Sequence, residues 1–257
     1  MIETDPDPKQ CCVIACIRSI PVSLRIAVVL ATLIRIALAF QGQYVFPDED
    51  RYDRALDFWA AVSEIEPARA VTVIFKARGR PGAIVSYLPP ALVQWGANRA
   101  FGTEPIETSW IPALFTVLLA AVNTLLLWRL GVKLLGPGSA STFAAILYGF
   151  LAPGLYYAQF LLPYVAAQTY LLASLVVLPG REEGKRVAGR LLICGVLFGC
   201  GLATYPGLYD QAIVLAVVAV VLCGSFKIRR LARLLWVPVG GGVTLVAWEL
   251  FSRLGWG

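Results

Sequence analysis

Long apolar runs separated by short charged or turn-forming stretches dominate the chain after residue 20. A transmembrane helix needs about 20 mostly apolar residues, and the proline–glycine turns near residues 153 and 206 divide runs that are too long for one crossing. The pattern predicts an all-α, polytopic transmembrane helical bundle of about seven spans. These spans are expected at residues 21–40, 109–128, 139–153, 158–178, 191–206, 211–226 and 234–251.

The longest polar region, residues 41–107, follows the first span. From Tyr52 onward, apolar residues recur at helical spacing, whereas Asp53 and Asp57 occupy the other side. This arrangement is typical of an amphipathic helix that lies along a membrane surface. A second interfacial helix is predicted over residues 91–101, directly after a proline pair.

Composition and charge indicate a membrane protein and its orientation. The chain is 58% hydrophobic, with mean hydropathy +0.73 and a formal net charge of +6. If residues 1–20 form a cytoplasmic tail, residues 21–257 are one transmembrane module whose 41–107 loop lies outside, most simply at the bacterial inner membrane. All basic residues of the short loops then face the cytoplasm, as the positive-inside rule requires: Arg129, Lys133, Arg181, Lys185, Arg186, Arg190, Lys227, Arg229, Arg230 and Arg233. A basic excess of this kind implies a lipid bilayer and no nucleic-acid partner.

The residue types available for chemistry are restricted. The chain has no histidine, so imidazole bases, histidine zinc ligands and Ser–His triads are excluded, and acid–base chemistry falls to carboxylates, tyrosine or lysine. The six cysteines suggest no disulfide framework, and no phosphate-binding glycine loop is present. The densest group of acids, Asp48, Glu49 and Asp50, follows Pro47 at the start of the outer loop.

Three segments resemble motifs of one known family. The first motif segment, Pro47–Tyr52 (P-D-E-D-R-Y), fits the P-D-E-x-R-Y signature in the first outer loop of polyprenol-phosphate-dependent GT-C glycosyltransferases, which include lipid A aminoarabinose transferases and, more distantly, protein O-mannosyltransferases. The second motif segment, Tyr87–Trp95 (Y-L-P-P-A-L-V-Q-W), is similar to the family's Y-x-K-P-P-L-x-x-W. The third motif segment, Gly195–Pro206 (G-V-L-F-G-C-G-L-A-T-Y-P), is similar to its G-x-x-x-G-L-A-x-L-T-R-P span. The resemblance covers essentially the whole chain, as the family's seven-span amino-terminal module.

This resemblance implies an inverting glycosyltransferase. A sugar would move from a polyprenyl-phosphate carrier to a hydroxyl or phosphate of a lipid, glycan or protein acceptor on the outer face of the membrane. Asp48 would be the general base, and Arg51 would stabilise the departing phosphate. Glu49 and Tyr52 would orient the base or the sugar. No cofactor is implied.

The chain departs from the family pattern at two positions. Leu88 stands where the family has a lysine that would contact the donor phosphate, and Tyr205 replaces the arginine of the third motif. Lys76, Arg78 and Arg80 are candidate substitutes for the phosphate contact. Binding of anionic lipid head groups is the alternative role of these three side chains.

Other interpretations stay open. Asp48 is also suited to cap the helix that follows it. A divalent metal at the 48–50 cluster is conceivable but not favoured, because consecutive residues at a helix start seldom converge on one ion. Arg35, inside the first span, faces either the acidic loop or the head groups. The rival to an enzyme is a truncated, non-catalytic membrane scaffold or assembly subunit that retains the GT-C fold, and a transporter ranks third.

Overall fold

The structure is a computed structural model of the chain. It describes residues 19–41, 50–75, 81–156, 162–179, 186–205, 207 and 235–254. Every regular element within these ranges is a helix, which confirms the all-α prediction for the part of the chain described. The span predicted at 211–226 and most of the predicted cytoplasmic tail lie outside these ranges.

The structure describes ten helices within these ranges. In chain order they are α1 (Val22–Ala39), α2 (Asp50–Ser63), α3 (Pro67–Phe75), α4 (Pro81–Phe101), α5 (Trp110–Leu135), α6 (Ser139–Gly149), α7 (Ala152–Tyr156), α8 (Tyr164–Val177), α9 (Arg186–Thr204) and α10 (Trp236–Leu254). By length and composition, α1, α5 and most of α9 are able to cross a membrane. The chain is therefore a membrane-embedded helical protein.

The predicted count of seven spans is not confirmed. The segment predicted at 139–153 contains α6, which has only 11 residues. At 1.5 Å per residue it is about 17 Å long, well short of the ~30 Å hydrocarbon core. The 14-residue α8 is also shorter than a full crossing. The first of them, α6, ends at Gly149, and the proline–glycine pair at 153–154 lies within the short α7. The second, α8, begins directly after Pro163, its N-cap residue.

One stripe of α1 packs into the protein while the rest of the helix is exposed. The exposed residues are large and apolar, as expected for a surface in contact with lipid: Val22, Ile26, Val29, Leu30 and Leu33. The buried stripe recurs every three to four residues: Leu24, Ala27, Ala31, Arg35 and Ala39. A single charged residue thus lies among small and apolar neighbours.

The 41–107 region contains three described helices, one more than predicted. The amphipathic helix is confirmed as α2: Tyr52 and Ala55 are fully buried, while Asp53 and Asp57 are exposed. The additional helix, α3, is joined to α2 through Ile65, which has a positive φ of 60°.

The second interfacial helix was predicted to start too late. Instead of beginning after Pro90, α4 starts at Pro81 and continues through both Pro89 and Pro90. Proline is favourable at a helix start because no intrahelical N–H bond is needed there. Within a helix it removes a hydrogen bond and favours a kink or break. Packing of α4 against α2, α5 and α9 offsets that loss, and a sequence pattern does not contain this information.

Glycines allow α9 and α10 to pack backbone to backbone. A Cβ added at Gly195 would collide with the carbonyl of Val237, and one added at Gly240 would lie 2.5 Å from the carbonyl oxygen of Leu192. Helices in membranes commonly associate through such small residues. The interpretation of Gly195 and Gly199 as a packing motif is confirmed.

Two basic side chains meet at the carboxyl end of α8, whose last carbonyl groups have no partner within the helix. Arg190 Nε donates to the carbonyl of Val177 at 3.2 Å. The ammonium of Lys133 donates to three further carbonyl groups, those of Leu175, Val176 and Leu178. Residues from two predicted inner loops thus lie at one end of the bundle, while the orientation of that end in a membrane stays a prediction.

Candidate functional site

The first and second motif segments are in direct contact. Tyr52, the last residue of the first segment, is fully buried on α2. Its ring lies edge-on to that of Tyr87, the first residue of the second segment, with 5.6 Å between centroids and 74° between planes. Edge-to-face pairs of this kind stabilise by about 0.5–1.5 kcal/mol beyond simple burial.

A hydrogen bond from α2 to α4 fixes the same junction. Trp59 lies two turns after Tyr52, and its indole Nε1 donates to the backbone carbonyl of Leu88 at 2.8 Å. The buried side chains around these contacts form one group, here named the motif cluster: Ala39, Tyr52, Ala55, Ile84, Tyr87 and Ala91. The start of α2 is therefore held against the middle of α4.

The third motif segment reaches the amino end of the same helix. A Cβ added at Gly82 would lie 2.5 Å from the backbone of Ala203, so α4 and α9 touch there without an intervening side chain. Thr204 is 1% exposed, and its hydroxyl lies 3.4 Å from the carbonyl oxygen of Gly82 as well as bonding to Cys200 within α9. All three motif segments thus converge on α4.

Of the seven predicted site residues, Tyr52 is the one whose side chain the structure describes. Asp48 and Glu49 lie in the gap before α2, and Lys76, Arg78 and Arg80 lie in the gap between α3 and α4. Arg51 belongs to α2, with its side chain outside the described part. Asp48 precedes the start of α2 at Asp50 by two residues and lies outside the described part of the chain. Its capping role and its catalytic role therefore both stay predictions.

A second feature is a cavity of about 230 Å³ beside α1, here named the arginine cavity. Its lining includes Arg35, Tyr148, Leu151, Gly154, Tyr164 and Gln168. These residues come from α1, α6, α7, α8 and the segment between α6 and α7. Arg35 is 2% exposed, so its guanidinium does not face the head groups. Residues 42–49 of the acidic loop lie outside the described part of the chain, so a contact between Arg35 and that loop stays a prediction.

Hydrogen bonds hold the polar groups of this cavity in place. One terminal nitrogen of Arg35, Nη2, donates to the carbonyl of Gly149 at 2.8 Å. The adjacent Nε is buried and makes no hydrogen bond. Across the cavity, the hydroxyl of Tyr148 donates to Gln168 Oε1 at 2.7 Å. Asn123 donates to the carbonyl of Val165 at 3.1 Å and so fixes the neighbouring backbone.

The charge of Arg35 is not neutralised by the described residues that line the cavity, since none of them is acidic. A charged side chain buried within a membrane segment is costly, and such residues are usually functional. Arg69, outside the predicted spans, makes a contrast: it contacts Glu64 at 2.7 Å and Glu66 at 3.1 Å. Glu66 and then Glu64 raise the pKa of Arg69.

Sequence reasoning singled out Arg35 but missed the rest of the cavity. Tyr148, Gly154 and Gln168 lie more than 100 residues away in the chain, in a long run without a charged residue. The available signal was a proline–glycine break flanked by polar side chains in an otherwise apolar segment. That signal does not reveal which helix packs opposite it.

Within the ranges described, no group of three or more cysteine or acidic side chains is close enough to hold a metal ion. Asp48 and Glu49 of the 48–50 cluster are outside those ranges, as is the side chain of Asp50. Comparison of the chain with family models, curated proteins and solved structures gives no match in any of the three. The resemblance to the GT-C family thus rests on the three motif segments.

Proposed function

We propose that the chain is a membrane glycosyltransferase of the GT-C type, which transfers a sugar from a polyprenyl-phosphate donor to an acceptor on the outer face of the membrane. One observation supports this most directly. The three segments that resemble family motifs are far apart in the chain and yet pack on the same helix, α4, through Tyr52–Tyr87 and Gly82–Ala203.

This packing suits a loop that must place a base accurately. Tyr52 is a buried anchor at the end of the first motif segment, and Asp48 precedes it by only four residues. The position of Asp48 is therefore limited by a short tether to a rigid cluster. Proximity of this kind contributes strongly to catalysis when the reacting groups are correctly oriented.

The proposed reaction is an inverting displacement. The acceptor oxygen attacks the anomeric carbon, and the bond from that carbon to the phosphate oxygen breaks with its electron pair going to the polyprenyl phosphate. Asp48 takes the acceptor's proton. Arg51 stabilises the charge of the departing phosphate, with Lys76, Arg78 and Arg80 as further cations, while Glu49 orients the base or the sugar.

The test measures release of free polyprenyl phosphate. Membranes that contain the full chain, and matched membranes without it, are incubated with labelled polyprenyl-phosphate sugars, and the lipid product is separated. Asp48→Asn retains the size and the capping ability of the side chain but cannot accept a proton, so the rate should fall by about 10²–10⁴-fold.

Asp57→Asn is the matched control, because Asp57 is an exposed carboxylate on the same helix and should leave the rate unchanged. Full activity of Asp48→Asn would refute the assignment of the base. No chain-dependent release from any of the donors would refute the transferase and favour the non-catalytic scaffold.

A further inference from the structure

We propose that the arginine cavity is a binding site for a phosphate-bearing anion, with Arg35 as its cation. The inference does not rest on sugar transfer, which is assigned to residues of the 41–107 loop. It rests on the geometry of Arg35 and on the donors around it.

Arg35 is preorganised to bind an anion. Its bond from Nη2 to the Gly149 carbonyl fixes the plane of the guanidinium, and its Nε is left buried without a partner. Phosphate and carboxylate oxygens match the fork of N–H groups that a guanidinium presents. A neutral ligand would leave the charge of Arg35 uncompensated in an apolar bundle.

The opposite wall adds a further donor. Because Gln168 uses its Oε1 to accept from Tyr148, its amide nitrogen is the group left to bind a ligand, and it is a donor. Arg35 and Gln168 thus present N–H groups, while the lining described contains no carboxylate that would repel an anion.

The dimensions and surroundings limit the ligand. A cavity of about 230 Å³ is several times the ~30 Å³ that one water molecule occupies in the liquid, which is enough for a phosphate group with its first substituent. Leu151 lines the cavity and is 45% exposed. An apolar, exposed wall next to buried donors favours the phosphate of a lipid over free phosphate.

The site lies close to the motif cluster. Arg35 and Ala39 belong to the same buried stripe of α1, and Ala39 is part of the motif cluster. Four residues of helix correspond to a rise of about 6 Å, so a bound phosphate would lie roughly one helical turn from Tyr52 and its neighbours.

The experiment compares two sources of phosphate. The purified full chain in a neutral detergent is titrated in one arm with phosphatidylglycerol and in the other with inorganic phosphate, with binding followed by native mass spectrometry and by the shift in unfolding temperature. A phosphate-free neutral glycolipid serves as the probe control. Saturable binding of phosphatidylglycerol is expected, with weaker binding of inorganic phosphate.

Arg35→Gln should weaken the binding of phosphatidylglycerol at least about tenfold, the effect of removing a charge-assisted hydrogen bond. Arg35→Lys should bind phosphatidylglycerol with intermediate affinity, because it keeps the positive charge but loses the planar fork of N–H donors. Arg25→Gln is the matched control: Arg25 is an exposed arginine near the other end of α1, bonded to the Ile20 carbonyl, and its loss should change binding by no more than about twofold.

Gly154→Val tests the site without altering its charge. A Cβ at Gly154 would lie 3.6 Å from Nη2 of Arg35, an ordinary contact, and the two further methyl groups of valine would add bulk to the wall of the cavity that Gly154 lines. Binding should fall here as well. Either of two results would overturn the proposal. One is equal binding of phosphatidylglycerol by the wild type and by folded Arg35→Gln or Gly154→Val. The other is that the wild type binds phosphatidylglycerol no better than the neutral glycolipid.

Discussion

Two neighbouring regions along α1 have opposite physical character. The motif cluster is closed and apolar, and it includes a tyrosine and two alanines with no exposed surface. The arginine cavity, one helical turn away, is hollow and is lined by Arg35, Tyr148 and Gln168. The closed region is suited to holding backbone in place, whereas the hollow region is suited to binding a ligand.

The two regions bear on function in different ways. The motif cluster includes Tyr52, Tyr87 and Ala91, which belong to sequence motifs, and its side chains are buried against one another. Under the proposed function, its role is to position the loop before α2. The cavity contains no motif residue, yet it has the buried charge and the free volume that a binding site needs. If both proposals hold, positioning and binding are divided between adjacent turns of one helix.

The largest expected effect on stability comes from emptying the motif cluster. Tyr52→Ala removes a fully buried aromatic ring and its contact with Tyr87, so unfolding free energy should fall by about 3–5 kcal/mol. Unfolding in mixed micelles followed by circular dichroism measures it. Tyr52→Phe keeps the ring and should lose much less unfolding free energy. Equal losses for both variants would mean that packing of the ring is not what holds α2.

The next effect comes from separating α4 from α9. A Cβ at Gly82 would lie 2.5 Å from backbone atoms of Ala203, whereas one at Gly96 on the same helix meets nothing within 4 Å. Gly82→Ala should therefore lower the unfolding free energy by about 1–3 kcal/mol. Gly96→Ala should stabilise slightly, by roughly 0.5–1 kcal/mol. If Gly82→Ala and Gly96→Ala have the same unfolding free energy, the close approach of the amino end of α4 to the third motif segment is wrong.

The difference between the two regions also explains what the sequence could predict. The periodicity that predicts α2 is local, because burial of Tyr52 and exposure of Asp57 depend on 3.6 residues per turn. The start of α4 was mispredicted because the effect of Pro89 and Pro90 depends on helices packed around them. The cavity depends on packing among five helices, and only Arg35 and the proline–glycine break at 153–154 indicated it in the sequence.

A smaller effect is expected at the hydrogen bond between α2 and α4. Trp59→Phe removes the indole donor to the Leu88 carbonyl while keeping an aromatic ring, and should cost about 1 kcal/mol. Ser63→Ala is the matched control, because Ser63 bonds only within its own exposed turn and to Arg99 at 3.4 Å. The same unfolding titration compares the two variants. A Trp59→Phe variant as stable as wild type would show that this hydrogen bond does not stabilise the motif cluster.

When no anion is present, Arg35→Gln should affect stability no more than Trp59→Phe does. Arg35→Gln loses the bond to Gly149, but it also removes a buried charge whose desolvation is unfavourable. Because the two effects oppose each other, the unfolding free energy in phosphate-free neutral detergent should change by no more than about 1 kcal/mol. A loss as large as that of Tyr52→Ala would show that Arg35 is needed for folding, and would weaken the contrast between a closed and a hollow region.

The smallest effect is expected at Arg69, which has two carboxylate partners yet is about half exposed. Arg69→Gln should give no measurable shift in unfolding, because exposed ion pairs are screened by water and salt. The pKa of Arg69 is raised, so any stabilisation is complete below its ordinary value and is lost only above it. Unfolding midpoints of wild type and variant should therefore stay parallel across the neutral pH range. A difference that changed between pH 6 and pH 8 would require a titrating group other than Arg69 itself, since its guanidinium stays charged throughout that range.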